Sequence, residues 1–163
     1  MHKVELRKAM SSDADEMLAL LKSVCAEGEA LPFIDGIDHA LIDSQWLGAS
    51  ACVLAWEAGR LLGMYRYGAN MPGRGAHIAT ATFLVRQEAR GLGIGRILVA
   101  DCLAAAKQAG FEAMQFNQVL MSNLAALALY RSMGFRRIGR VPAAFRHARL
   151  GLVDAYILYR TLS

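Results

Sequence analysis

Arg90-Gly91-Leu92-Gly93-Ile94-Gly95 is the stretch whose reading decides the fold, because it follows a strand-like run, His77 to Val85, and opens a long apolar helical pattern. Glycines allow a tight turn that brings several backbone N–H groups close to an anion, and the first turn of the following helix presents unsatisfied donors and a partial positive charge. Arg90 adds a fixed charge at the rim. This is the context of a phosphate cradle; an ordinary glycine-rich strand-to-helix turn is the plain alternative. Two better-known phosphate loops do not fit the letters. A P-loop needs Gly-Lys followed by Ser or Thr, whereas Gly95 is followed by Arg96 and Ile97. A dinucleotide fingerprint needs its third glycine three positions after its second, whereas these glycines are two apart, and Glu112, a candidate ribose acid, precedes the next strand-like run instead of ending it.

Working outward, Gly95 to Ala109 sets Leu98, Val99, Cys102, Ala105, Ala106 and Ala109 on one arc and Arg96, Asp101, Lys107 and Gln108 on the other, the pattern of a helix packed on a sheet. Gly110 ends it, Ala113 to Val119 reads as a strand, and Ser122 is the expected cap of a further helix that Gly134 terminates. Upstream, Val4 to Lys8 is a short strand, Ser11 to Asp13 cap a helix running to Glu27, and Asp35 to Gly48 holds a second helical stretch. Ala51 to Trp56 and Leu61 to Tyr67 form a hairpin about Glu57-Ala58-Gly59-Arg60. Phe135 to Val141 and Val153 to Tyr159 are the last strands, with a loop from Pro142 to Leu152. The alternation is that of an α/β chain, and 163 residues with no linker-like stretch predict one domain over 1–163.

A formal charge of +4 and a sequence pI near 9.2 favour a polyanionic ligand. Nucleic acid is not the expected one, since the basic residues are scattered and no aromatics interleave with them. Cys25, Cys52 and Cys102 lie in apolar surroundings without metal-ligand or redox spacing, so neither a structural metal nor a disulfide framework is expected. The opening Met1 to Arg7 alternates charge with apolarity, and no apolar run reaches 18 residues, which predicts neither signal peptide nor membrane span and makes the cytoplasm the expected location.

Arg90-x-x-Gly93-x-Gly95 resembles the acetyl-CoA pyrophosphate loop of the GNAT superfamily, the GCN5-related N-acetyltransferases. About thirty positions on, Asn123-Leu124-Ala125-Ala126 through Tyr130 to Gly134-Phe135 is similar to that family's Asn-x-x-Ala…Tyr-x-x-x-Gly-Phe segment. The resemblance implies a mixed, mostly antiparallel central sheet flanked by helices, with acetyl-CoA as cosubstrate and no metal. Its cofactor residues map to Phe83, Leu84 and Val85, to Arg90, Gly91, Leu92, Gly93, Ile94, Gly95 and Arg96, and to Asn123, Ala126 and Tyr130. Met114 to Asn117, Val141 to His147 and Gly151 to Ala155 further resemble a subgroup that includes fungal acetyltransferases acting on proline analogues. That implies an acceptor pocket shaped by Pro142 to Leu152, with Arg146 available to a carboxylate.

Acyl transfer to an amine needs a neutral amine, donors for the developing oxyanion and a proton for the departing thiolate. Asn123, Ala126, Leu127 and Tyr130 share one helix face, and by resemblance Tyr130 supplies the thiolate's proton while Asn123 holds the cofactor arm. A backbone N–H near Phe83 to Val85 is the implied oxyanion donor. Asn117 stands in an apolar strand, where a buried amide needs partners, and is a candidate for the acetyl carbonyl or the substrate. The base is open. Glu29, with Glu27, follows the first helix, which lines the acceptor site in many members; His39, His77 and His147 are alternatives, as is bulk water reached through ordered molecules. The expected acceptor is a small amine or amino acid. A protein amino group, a catalytically silent coenzyme A module and a nucleotide-binding domain are the competing readings, and a pocket lined by Trp46, Phe33 or Tyr65 would favour the small molecule. A homodimer is compatible with exposed strands.

Overall fold

The hairpin expected from residues 51 to 67 lies near the centre of the sheet. In the computed structural model, which describes residues 3–163, Ala51–Glu57 (β2) and Arg60–Ala69 (β3) are joined by a turn in which Ala58 and Gly59 take φ of 49° and 76°. Met1 and His2, the first residues of the mixed opening segment, lie outside the described residues. Glu5–Lys8 (β1) pairs with β2, and Ile78–Val85 (β4) pairs with β3. Ala113–Leu120 (β5), Arg136–His147 (β6) and Gly151–Thr161 (β7) complete a sheet of order β1-β2-β3-β4-β5-β7-β6, antiparallel throughout except between β4 and β5. This is the mixed, mostly antiparallel sheet that the family resemblance implies, on the α/β alternation read from the residues.

Helices cover both faces because β3 alternates. Its Leu61 and Met64 join Leu20, Leu21 and Val24 of Ala14–Glu27 (α1), together with Ile42 and Trp46, in one buried cluster. Its Leu62, Tyr65 and Tyr67 pack against Leu98, Cys102 and Ala106 of Ile94–Gln108 (α3) in the other. Leu124–Ser132 (α4) adds Leu127, Leu129 and Tyr130 to that second side. Asp101 faces the sheet and accepts the Tyr65 hydroxyl at 2.7 Å, so the expected outer polar arc of α3 has one inward member. Burial is the main reason the Tyr65 phenol is raised well above its ordinary value, and Asp101 adds to it.

Three local expectations are corrected. Asn123, not Ser122, caps α4: its Oδ1 accepts the Ala126 N–H at 3.2 Å, while the Ser122 hydroxyl is buried without a partner. The second helical stretch shrinks to His39–Leu41 (α2) followed by a wide turn over Ile42–Leu47, closed by an Asp43 carbonyl accepting the Gly48 N–H at 2.9 Å. The segment from Pro142 to Leu152 is mostly strand: β6 continues to His147 and β7 starts at Gly151. Proline is tolerated because β6 is the sheet edge and its register shifts between Val141 and Phe145, where Ala143 has φ 48° and its N–H is taken by Asp154 at 2.8 Å.

Candidate functional site

The site begins as a failure of pairing. β4 and β5 match only at Ile78↔Ala113 and Ala79↔Met114, and beyond these pairs they diverge. On its other side β4 is paired with β3 along its whole length, from Ala69↔Ala79 to Gly63↔Val85. The Arg86 N–H reaches the Leu62 carbonyl at 2.8 Å and the Asn70 N–H the Ile78 carbonyl at 2.8 Å, which fixes the alternation of this antiparallel ladder. Thr80, Thr82 and Leu84 therefore direct their backbone groups to β3. Ala81, Phe83 and Val85 direct theirs into the gap, where β5 offers no pairing. These amides have no strand partner in the gap, so the edge is open to pairing with an extended chain. Leu84 has neither a free amide nor a free side chain there, since it packs into the α1-side cluster at 2% exposure.

The opposite lip is a bulge. The β5–β7 register breaks between Phe116 and Val119, leaving Asn117 and Gln118 outside the ladder. Asn117 is exposed, which corrects the expectation of a buried amide. Its Nδ2 donates to Asn70 Oδ1 at 2.6 Å, and its Oδ1 accepts Gln115 Nε2 at 3.0 Å.

A cavity of about 340 Å³ runs through the gap and is lined from both faces of the sheet. Phe83, Phe116, Asn123, Ala126 and Tyr130 come from the α4 side, whereas Leu21, Trp46, Arg66 and Thr82 come from the α1 side. A second cavity of about 830 Å³, between the end of α1 and the β6–β7 hairpin, shares Leu31, Pro32, Phe33 and Gln118 with the first and carries Arg146 on its wall. Of the expected pocket aromatics, Trp46 and Phe33 line the cavities, and Tyr65 instead faces α3.

Tyr130 is held by an aromatic cage, with ring centroids 4.6 Å from Phe116, 5.8 Å from Phe135 and 6.2 Å from Phe83. Burial pushes its phenol well above the ordinary tyrosine value, so it keeps its proton at neutral pH. Asn123, on the same helical face, spends its Oδ1 on the cap and keeps its Nδ2 clear of it.

At the top of β4 the glycine run has the conformation of an anion cradle. Gly91 and Gly93 take φ of 76° and 86°, with open space on the side where a Cβ would stand. The first helical bond of α3 is the Ile97 N–H to the Gly93 carbonyl at 3.1 Å, so the preceding N–H groups have no intrahelical acceptor. Gly95 lies close to α4: a Cβ there would meet Leu129 Cδ2 at 3.3 Å. Arg90 and Arg96 are tied back: Arg90 to the Val85 carbonyl at 3.2 Å and Glu27 at 2.9 Å, Arg96 to Ser132 at 2.9 Å. Leu92 is exposed, and Ile94 is buried under the α3 side.

The carboxylates and imidazoles weighed as bases lie elsewhere. Glu29 is paired with Arg149 at 2.7 Å and is absent from both cavity walls, and Glu27 is engaged by Arg90. His39 pairs with Asp15, His77 is exposed, and buried His147 accepts the Arg149 and Leu150 N–H groups at 3.1 and 3.2 Å to close the hairpin tip. Sequence reasoning missed Arg66. The available signal was a charge in the middle of a central strand, at a position facing the α1 core.

A family model described as Acetyltransferase (GNAT) family matches residues 21–135, more than two thirds of the chain. The chain belongs to this family. It is 35% identical to a GCN5-related N-acetyltransferase from Kribbella flavida, with 97% of each chain covered and a TM-score of 0.91. Protein SPT10 of Saccharomyces cerevisiae is 35% identical over 91 residues, which are 56% of this chain and 14% of the yeast protein. A Salmonella typhimurium protein, yncA, solved with its cofactor acetyl-CoA, shares the fold at a TM-score of 0.86 and 18% identity, over 99% of this chain and 95% of that one. The protein is thus an N-acetyltransferase of a family that uses acetyl-CoA with an acceptor substrate. Among the described residues no helix is long and apolar enough to cross a membrane, and no three His, Cys, Asp or Glu residues are grouped as a metal site.

Proposed function

We propose that the chain, as one domain, transfers the acetyl group of acetyl-CoA to the amine of a small molecule or amino acid by direct attack in a ternary complex. The observation that carries this reading is the cavity that pierces the sheet between β4 and β5. It lets a donor lying on the α3–α4 side meet an acceptor entering from the α1 side, and holding both reactants in one slot supplies orientation. The free amides of Gly93, Ile94, Gly95 and Arg96 suit the pyrophosphate, with Arg90 and Arg96 as flanking charge. Ala81, Phe83 and Val85 suit the pantetheine amides as an added strand, and one of their N–H groups is the donor for the carbonyl oxygen as it gains charge. Asn123 Nδ2 and the small Ala126 border the cofactor arm.

In the transfer itself the amine lone pair forms the new C–N bond and the C–S bond breaks. Tyr130 gives its proton to the thiolate, and the phenol is restored by the proton that the amine loses. Asn117, presented by the bulge and already oriented by Asn70 and Gln115, is the side-chain donor for the acetyl carbonyl or the acceptor. Glu29 keeps its Arg149 pair in this scheme, and the incoming ammonium gives its extra proton to water in the outer cavity before the neutral amine attacks. Trp46 and Phe33 on the acceptor walls support a small ligand over a protein tail. The test is thiol release from acetyl-CoA against amino acids, amines and peptides, with product mass. Stoichiometric thiol and N-acetyl product from a small amine are expected. Millimolar acetyl-CoA giving neither heat nor protection from melting would overturn the reading.

A further inference from the structure

Among the described residues, Arg66 is the only charged one on the wall of the smaller cavity. It sits in mid-β3, opposite Cys52 on one side and Thr82 on the other, facing α1. Its Nε is buried without a hydrogen-bond partner, and none of the six ion pairs among the described residues includes it. Trp46 stands over its guanidinium, 5.3 Å from the ring centroid to the central carbon, and both residues line the cavity.

A partly buried charge with no counter-ion costs the apo protein stability and is retained where a ligand completes it. Burial also lowers the Arg66 pKa from its ordinary value, the direction expected of a cation without a partner, and the group still keeps its charge at neutral pH. The coenzyme's own phosphates are not the missing anion. Their cradle is at the start of α3, on the other face of the sheet. A single planar cation flanked by neutral donors, the Thr80 and Thr82 hydroxyls and the Gln118 amide, matches a singly charged planar anion.

We propose that Arg66 is the acceptor anchor: it binds the carboxylate of an amino-acid-type substrate and so presents that substrate's amine to the slot. This rests on the transfer reading above and narrows its acceptor to amines that carry a carboxylate. Arg146, exposed on the outer cavity, is not needed for the anchor.

The test compares L-amino acids with their primary amides, in which the carboxylate alone is neutralised, on the wild type, Arg66→Gln and Arg66→Lys. Thiol release from acetyl-CoA gives kcat and KM. Melting with coenzyme A plus each amino acid or amide reads binding without turnover. The wild type should prefer the acid over its amide by about 100-fold or more in kcat/KM, as sites with a buried polar partner do, and should melt higher with the acid. Arg66→Gln should lose that preference through KM, keep acetyl-CoA binding, and melt no lower than the wild type without ligand. Arg66→Lys should restore part of the preference. Acid and amide used equally by the wild type, or a preference that survives Arg66→Gln, would overturn the anchor while thiol release leaves the transfer reading standing. Arg66-dependent protection by acids without any thiol release would sustain the anchor and overturn the transfer reading.

Discussion

Tyr130→Phe removes one oxygen from a residue on the wall of the slot and leaves the ring. The ring's contacts with Phe116, Phe135 and Phe83, at 4.6, 5.8 and 6.2 Å between centroids, are all retained by phenylalanine. Among the described residues nothing hydrogen-bonds the hydroxyl, and its raised pKa comes from burial with a lesser contribution from Cys102. Folding stability should therefore stay within about 1 kcal/mol of the wild type, the scale of a single hydrogen-bonding group. The rate should not. Positioned proton donors contribute about 100- to 10,000-fold, which is roughly 2.7 to 5.4 kcal/mol of barrier at about 1.36 kcal/mol per decade. The assay is kcat by thiol release at saturating acetyl-CoA, with affinity by calorimetry and Tm alongside. Because burial raises the phenol's pKa, the donor stays protonated through neutrality, and no alkaline loss of kcat from this group is expected below about pH 10. A variant with kcat within threefold of the wild type, or one whose lost rate is matched by lost acetyl-CoA affinity, would refute the role.

Three further outcomes follow from the packing. Arg7 grips Asp13 with two bonds of 2.8 Å, and the Met10 N–H adds a third, holding the carboxyl below its ordinary value. A depressed folded pKa gives stability that is present above the unfolded value of about 4 and is lost as pH falls through the folded one. Asp13→Asn should accordingly cost about 2 kcal/mol at neutral pH and flatten acid unfolding, as chemical denaturation at several pH values would check. Tyr65 has the opposite sign. Its folded pKa is raised, chiefly by burial, so its contribution is full below about pH 10 and is lost as pH rises further; Tyr65→Phe should make the alkaline fall of Tm shallower. Burial pushes the Cys52 thiol up to about 12 and also raises Cys25 and Cys102, so a thiol-reactive disulfide reagent should label none of the three before unfolding.

What the chain displays locally proved readable. The glycine cradle, the hairpin at Ala58-Gly59 and the glycine stops at Gly28 and Gly134 each depend on a few neighbouring residues, and the positive φ at Gly91, Gly93, Ala58, Gly59, Gly28 and Gly134 follows from that. The face shared by Asn123, Ala126 and Tyr130 was legible from helical period alone, and the three residues do line one cavity. Features that depend on strands distant in sequence were not legible. Nothing in His77 to Val85 indicates that β5 leaves β4 after two pairs, or that Phe83 and Val85 rather than Leu84 keep their amides free. Asp101 reads as an outer residue until Tyr65 is placed across from it, 36 positions away. Pro142 reads as a strand end, because the tolerance of an edge strand for proline is a property of the whole sheet. Glu29 reads as an available carboxylate until Arg149 is folded against it.

Amide hydrogen exchange along β4 addresses the gap between β4 and β5 most directly. Free of ligand, the Phe83 and Val85 amides should exchange quickly and those of Thr82 and Leu84, spent on β3, slowly. Saturating acetyl-CoA should slow Phe83 and Val85 by about tenfold or more and leave Thr82 and Leu84 nearly unchanged. If Phe83 and Val85 exchange at the same rate with and without acetyl-CoA, the thioester does not lie in this gap.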